Sequence, residues 1–307
     1  MAESGQDTNQ MLVAELEPEV ERLLNRHDGA AKEWFPHEFV PWDRGTDFEP
    51  GETWDPDAFP LSDEVRSALF VNLLTEDNLP YYFRTIEQMF GKDSAWGTWV
   101  RRWTAEEGRH SIVIRDYLTV SRAIDPVALE RARMAQVKKG EVPQPPSPPD
   151  GLGYVALQEL ATRIAHRNTG RLLGDKAGQE VMDRVSRDEN LHYLFYRDLV
   201  TAALELDPSV TVIAIERQVR DFEMPGTGIV DFGTHAKAIA RAGIYDLQIH
   251  HDEILQPVLK NHWKIEDLEG LTPEAEQARE RLMDYMARLG KVAGRFLARK
   301  EAKAVTV

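Results

Sequence analysis

The chain contains no cysteine in 307 residues. That excludes disulfides, thiolate zinc sites, cysteine-bound iron–sulfur clusters and cysteine nucleophiles. Any chemistry must run on Glu, Asp, His, Tyr or Ser. Basic residues are also short in supply: 37 Lys and Arg stand against 52 Asp and Glu, a formal net charge of −15. Nucleic acid needs a broad basic face, so it is not expected as a partner. No run of about eighteen apolar residues occurs, and nothing in the chain is expected to span a membrane. The opening MAESGQDTNQ has neither an apolar signal core nor Arg-rich transit character, which predicts a cytoplasmic protein.

Strand signals are missing as well. Helical periodicity dominates, starting with Leu12, Leu16, Val20, Leu23 and Leu24 at spacings of three and four. The stretch from about residue 30 to 60 is rich in Pro, Gly and aromatics and reads as an extended arm packed on the body. Ser62 opens a helix expected to run to Phe90, a second spans Asp93 to Arg122, and Asp125-Pro126 starts another. GEVPQPPSPPDGLG, residues 140–153, reads as a loop or rigid linker. Helices resume over Tyr154–Arg171, Asp175–Leu206 and Pro208–Phe222. MPGTG breaks the pattern at Met224–Gly228, and more helices follow to Lys300. The fold class is all-α, a bundle of long helices.

One of those helices raises a question. WTAEEGRH, Trp103 to His110, is followed by Ile112, Val113, Ile114, Tyr117 and Leu118, so one side is meant for the interior. Yet Glu106, Glu107 and His110 sit at its centre. A buried carboxylate without a partner costs on the order of several kcal/mol. Glu107 and His110 are at i and i+3, on one face and a turn apart, where a carboxylate and an imidazole can bind one ion together. A second copy, Glu189-Asn-Leu-His192, lies in DENLHYLFY. Two such copies can arise by chance in a chain this rich in Glu. The upstream spacing argues otherwise: Glu76 precedes Glu107 by 31 residues, and Glu159 precedes Glu189 by 30. Each half therefore supplies a helix with one inward Glu, then a helix with an inward Glu-x-x-His.

That pattern matches the ligand set of ferritin-like di-iron carboxylate bundles. Four carboxylates would balance two divalent irons, and mixed carboxylate and imidazole donors suit iron or manganese better than zinc. Each half holds half the ligands, so the Pro-rich linker cannot be a domain boundary. A salt-bridged core would instead need inward Lys or Arg, which these helices do not offer.

WTAEEGRH, TEDNLP, QELATRIAHRNTG and DENLH, taken together and in order, resemble the acyl-[acyl-carrier-protein] desaturases, and the details are similar to the actinobacterial branch. The resemblance covers the chain from Trp34 to beyond MPGTG and HDEILQPVLK. It implies a single ferritin-like domain over 1–307, with an arm and first helix in 1–60, a four-helix di-iron core in 61–222 and accessory helices in 223–307. It implies two iron ions held by Glu76, Glu107, His110, Glu159, Glu189 and His192, with Glu106 outside the ligand set or in solvent. Thr162 would stand beside the oxygen-binding face, or simply bond back to its own helix. Asp188 would orient a ligand histidine. Trp34 would be part of an electron route, or a core tryptophan on the arm. Thr85, Gln88 and Met89 would line a substrate channel.

The activity implied is oxygen-dependent desaturation of a long-chain saturated acyl group on acyl carrier protein, leaving a cis double bond. Ferredoxin or a similar protein would donate electrons, and a homodimer is expected. Acyl carrier proteins are acidic, so docking needs a local basic surface. Arg131, Arg133, Lys138 and Lys139 are the candidate, against the alternative of a solvated helix face. His250-His251 looks metal-like, but its two rings point about 100° apart on a helix. Tyr81, Tyr82 and Tyr196 read as core. The rivals are a di-iron hydroxylase or a specialised-metabolite tailoring desaturase, an iron-sequestering ferritin-like protein, and an inactive scaffold.

Overall fold

The computed structural model describes residues 2–304. Among them no strand occurs. Helices α1 (Ala2–Glu15) and α2 (Glu17–Ala30) are nearly continuous, parted at Leu16 where Pro18 enters the next first turn. The arm follows, with short 3-10 turns at Pro36–Glu38 and Trp42–Arg44.

The single helix expected over 62–90 is two helices, α3 (Asp63–Glu76) and α4 (Leu79–Phe90). Pro80 lacks the N–H that an unbroken helix requires, so the chain turns at Asp77-Asn78 and restarts with Pro80 in a first turn. The break puts Glu76 at a helix end, free to face the interior while α4 leaves at a new angle. α5 (Ser94–Ser121) stops at Arg122, which takes a left-handed φ of 56°. α6 (Pro126–Lys139) is capped by the Asp125 side chain and ends at Gly140, φ +66°.

The Pro-rich loop is shorter than the sequence predicts. α7 (Pro148–Leu172) begins inside it, because Ser147 accepts the Asp150 N–H as an N-cap and Pro148 and Pro149 fall where helix N–H groups are unpaired anyway. α8 (Lys176–Leu206) is capped by Asp175 and, at 31 residues, is about 45 Å long. α9 (Pro208–Arg220) and α10 (Phe232–Ala242) follow. α11 (Leu247–Ile249) widens into π-turns over His250–Leu255 and Pro257–His262, and α12 (Pro273–Ala304) closes the chain.

α3, α5, α7 and α8 pack on one another, with α2 laid across α5 and α8 and α12 against α9. The apolar interior falls into two clusters. One gathers Trp96, Trp99 and Trp103 of α5 with Leu152–Ile164 of α7 and Tyr193–Leu204 of α8. The other gathers Val65–Leu74 of α3, Val113–Leu118 of α5 and Val181–Val185 of α8 with Trp34 of the arm. Glu107, His110, Glu189 and His192 lie between these stretches on α5 and α8, so a polar layer is held inside two dry ones. Among the described residues no helix is long and apolar enough to cross a membrane.

Candidate metal centre

All six side chains at the repeated spacing meet in the polar layer, one from each of α3 and α7 and two from each of α5 and α8. Glu76, Glu107, His110 and Glu189 bring ligand atoms within 4.8 Å of one another, and so do Glu107, Glu159, Glu189 and His192. Glu107 and Glu189 belong to both groups, so each could serve either of two ions. His110 turns Nδ1 inward, 3.3 Å from Glu107, 3.5 Å from Glu189 and 3.7 Å from Glu76. His192 Nδ1 lies 2.8 Å from Glu107 and 3.6 Å from Glu159. All six are buried, both histidines completely.

Several of these atoms have no hydrogen-bond partner: Glu107 Oε1, Glu159 Oε2 and the Nδ1 atoms of His110 and His192. Orphaned polar atoms of this kind cost about 1–3 kcal/mol each. Four of them converging on one volume fit a pair of metal ions, which would satisfy all of them. No Lys or Arg among the described residues pairs with any of the four glutamates, which leaves a salt-bridged core without its cations.

Protons stand in for metal cations electrostatically. Burial alone would push both imidazoles toward neutrality, but Glu107 and its neighbours raise His110 well above the usual range, and Glu106 and Glu107 do the same for His192. Burial, reinforced by Glu189, raises the Glu159 carboxyl well above the carboxylate range. Burial also opposes ionisation of Glu76 and Glu189, yet hydrogen bonding to His110 outweighs it and lowers both, aided at Glu76 by His166.

Around the ligands sits a shell of fixed partners. Asp188 Oδ2 is 3.6 Å from the outer nitrogen of His110 and accepts from Trp34 Nε1 at 2.7 Å. Arg109 and Arg184 also bind Asp188 and both lie over the Trp34 ring. Trp34 is thus connected through one carboxylate to an inward histidine. Thr162 Oγ1 lies 2.9 Å from Glu189 Oε2, and 3.1 Å from the carbonyls of Gln158 and Glu159, so its hydroxyl can serve a ligand or its own helix. Glu106 is not in solvent: it is buried and accepts from His27 at 2.8 Å and His192 at 3.0 Å.

The sequence reading did not single out His27, His166, Arg109 or Trp103. His166 reaches Glu76 at 3.0 Å, and Trp103 Nε1 donates to Glu159 at 3.1 Å. A signal for His166 existed, since Glu159, Thr162 and His166 share one helical face. His27 continues the apolar stripe of Val20, Leu23 and Leu24, where a lone histidine is indistinguishable from a core residue.

Two cavities open on the layer. One is a narrow slot of about 50 Å³ between α4 and α7, and the other measures about 310 Å³ beneath α3 and α10. Both are lined by Thr75, Glu76, Thr162 and Pro225, so they meet beside the candidate ligands. Thr85 and Met89 line the slot with Leu79, Tyr82, Ile86 and Phe90. Gln88 does not: it is exposed on the outer face of α4 beside Arg84, and Ile86 and Phe90 take the inner face instead.

Of the basic residues on α6, Arg131, Lys138 and Lys139 are exposed, and Lys139 pairs with Glu141 at 2.6 Å. Arg133 turns away, held by Asp77 and Glu130, so its charge is already spent. Tyr81 and Tyr82 donate to the Val137 and Pro225 carbonyls, and Tyr196 accepts from Trp99. His250 stacks on Phe222 and bonds to Tyr245, while His251 turns to Asp252 and Gln256.

The chain matches the profile of the fatty acid desaturase family over residues 8–307. It is 43% identical over 308 residues to the Mycobacterium tuberculosis protein named as an acyl-[acyl-carrier-protein] desaturase, DesA1, covering 97% of this chain and 91% of that one. It is 30% identical to the chloroplastic palmitoyl-[acyl-carrier-protein] 4-desaturase of Coriandrum sativum, covering 94% and 82%. The X-ray structure of the acyl carrier protein desaturase homologue DesA2 from M. tuberculosis superposes with a TM-score of 0.71 at 29% identity, over 87% of this chain and 99% of that one. The bundle is therefore ferritin-like, and the chain belongs to the fatty acid desaturase family, among the acyl-[acyl-carrier-protein] desaturases, which are oxidoreductases.

Proposed function

We propose that this protein removes one hydrogen from each of two adjacent methylenes of a long saturated acyl group, carried as a thioester on acyl carrier protein, and leaves a cis double bond. The observation that carries this reading is that the two apolar cavities share Glu76 and Thr162, and the slot is also lined by Glu107 and Glu189, so a chain lying through both would pass beside the candidate ligands. Two irons held by Glu76, Glu107, His110, Glu159, Glu189 and His192 would supply dioxygen activation. The balance closes with an external reductant: two electrons from a donor and two from the C–H bonds reduce one O2 to two waters, with two protons taken from solvent.

The chain's own residues do the rest. Tyr82, Ile86, Met89 and Phe90 exclude water and fix the acyl chain along the slot. Thr162 holds a proton at Oγ1 beside Glu189. Asp188 keeps His110 oriented and connects it to Trp34. The test is mass analysis of acyl groups after the metal-loaded protein is given reduced ferredoxin, oxygen and stearoyl- or palmitoyl-acyl carrier protein. Loss of two hydrogens is expected; addition of an oxygen would make it a hydroxylase instead.

Two basic surfaces fit the two acidic proteins this reaction needs. Arg131, Lys138 and Lys139 stand near the wider cavity, since Lys139 donates to the Gly228 carbonyl next to the lining residues Gly226 and Thr227. Acyl carrier protein docking there predicts that Arg131→Glu with Lys138→Glu raises its KM at least tenfold while leaving metal content unchanged. A groove of about 600 Å³ elsewhere is lined by Lys32, Arg163, Arg167, Arg171, Arg184 and Arg187 against a single acid, Asp183. Arg184 touches Trp34 and Asp188, so a ferredoxin-like donor seated in this groove stands at the outer end of the path to His110. A second copy of the chain completes the proposed assembly as a homodimer.

A further inference from the structure

The two Glu-x-x-His segments are each preceded by an acid, giving Glu106-Glu107-x-x-His110 and Asp188-Glu189-x-x-His192. The acids cross over. Asp188 of the second half faces the outer nitrogen of His110 in the first, and Glu106 of the first half accepts from the outer nitrogen of His192 in the second. Each acid then has one further aromatic partner from the N-terminal region: Trp34 donates to Asp188 at 2.7 Å, and His27 donates to Glu106 at 2.8 Å. The centre thus has two mirrored chains, Trp34–Asp188–His110 and His27–Glu106–His192.

We propose that His27 is a positioning residue for the metal on the His192 side, acting through Glu106. The Glu106 carboxylate is fully engaged: Oε2 takes both imidazoles and Oε1 takes Arg102 at 2.9 Å. His27 is itself fixed, buried edge-on to Trp99 with its ring nearly parallel to that of His192 at 5.8 Å between centroids. A carboxylate gripped from the far side holds the outer N–H of His192, which leaves Nδ1 as the donor atom aimed inward. Without His27, Glu106 gains a rotational choice toward Arg102 and Arg109, and His192 loses its fixed tautomer. The other half has no histidine in this role, so the two ions are held by unlike outer partners and respond to different substitutions.

This inference rests on the metal centre proposed above, and the experiment separates the two. Metal-free wild-type protein is titrated anaerobically with Co(II), and the paramagnetically shifted N–H signals of the two ligand imidazoles are followed. The wild type is expected to take up two equivalents and show two such signals. His27→Leu should weaken one binding step by about 10–100-fold and make one of the two N–H signals exchange faster, leaving the other step and signal unchanged. His27→Gln, whose amide can donate to Glu106, should recover most of the loss. Trp34→Phe should perturb the opposite signal. A wild type that binds fewer than two equivalents sinks the metal centre itself. Two unchanged steps in His27→Leu, or equal weakening of both, sinks only the role of His27. Three equivalents in the wild type falling to two in His27→Leu would give the His27–Glu106–His192 group a metal of its own and overturn the positioning role.

Discussion

Glu107→Ala is expected to cut metal uptake from two equivalents to one or fewer and to lower acyl desaturation at least a thousandfold. The size of the effect follows from the position of this side chain in both ligand groups. Removing Glu76 or Glu159 would take a donor from one group, whereas removing Glu107 would take one from both. It also strips both inward imidazoles of a carboxylate, 3.3 Å from His110 and 2.8 Å from His192. The fold should survive. In the metal-free layer His110 keeps Glu76 and Glu189 and His192 keeps Glu106 and Glu159, so deleting Glu107 costs one ion-pair partner and a small cavity rather than the layer itself. Metal-free Glu107→Ala is therefore expected to melt within a few degrees of the metal-free wild type, while only the wild type gains on metal addition. Inductively coupled plasma analysis, product mass spectrometry and paired melting curves check the three parts. A variant that still binds two ions and turns over would remove Glu107 from the centre.

The residues that were legible in the sequence share a property: their chemistry and their spacing say the same thing. Glu107 with His110 and Glu189 with His192 are charged pairs a helical turn apart inside apolar segments, and the 30- and 31-residue intervals repeat the arrangement in both halves. Physical cost makes such a pattern conspicuous, because ionisable groups do not enter a core without compensation. The outer shell carries no such cost signal. His27 looks like any half-polar residue on the buried stripe of α2, and its partner Glu106 is 79 residues away, a separation that only tertiary packing reveals. The channel was half legible for a geometric reason: Thr85 and Met89 lie one turn apart and face the slot, but Gln88 belongs to the neighbouring face of α4 with Arg84. Arg133 shows the limit of reading charge from sequence, since its counterion Asp77 comes from another helix end. The break at Asp77-Asn78 was written in Pro80, though local helical periodicity on both sides masked it.

Metal removal should turn a pH-tolerant protein into one stable only over a narrow window. Without ions, His110 and His192 are raised well above their ordinary range and Glu159 is raised with them. Groups whose folded pKa is raised bind protons more tightly in the folded state. Their contribution is complete below the unfolded values, about 6.5 for His and 4.3 for Glu, and is lost as pH climbs toward the folded ones. Glu76, Glu106 and Glu189 are lowered, and theirs runs the other way: complete above about 4.3 and lost as pH falls. Metal-free protein is expected to melt highest at mildly acidic pH and to lose stability steadily through neutrality into the alkaline range. With ions bound, the protons on His110, His192 and Glu159 are displaced, so the alkaline loss should vanish and metal affinity should rise with pH. At a free metal concentration of about a hundred times Kd, each site adds about 2.7 kcal/mol, and two sites together should raise the melting temperature by roughly 8 °C. Calorimetry of metal uptake in buffers of different ionisation enthalpy reads the proton release directly. Uptake with no proton release, or a metal-free melting curve flat from pH 6 to 9, would mean that the buried histidines are already neutral in the metal-free layer.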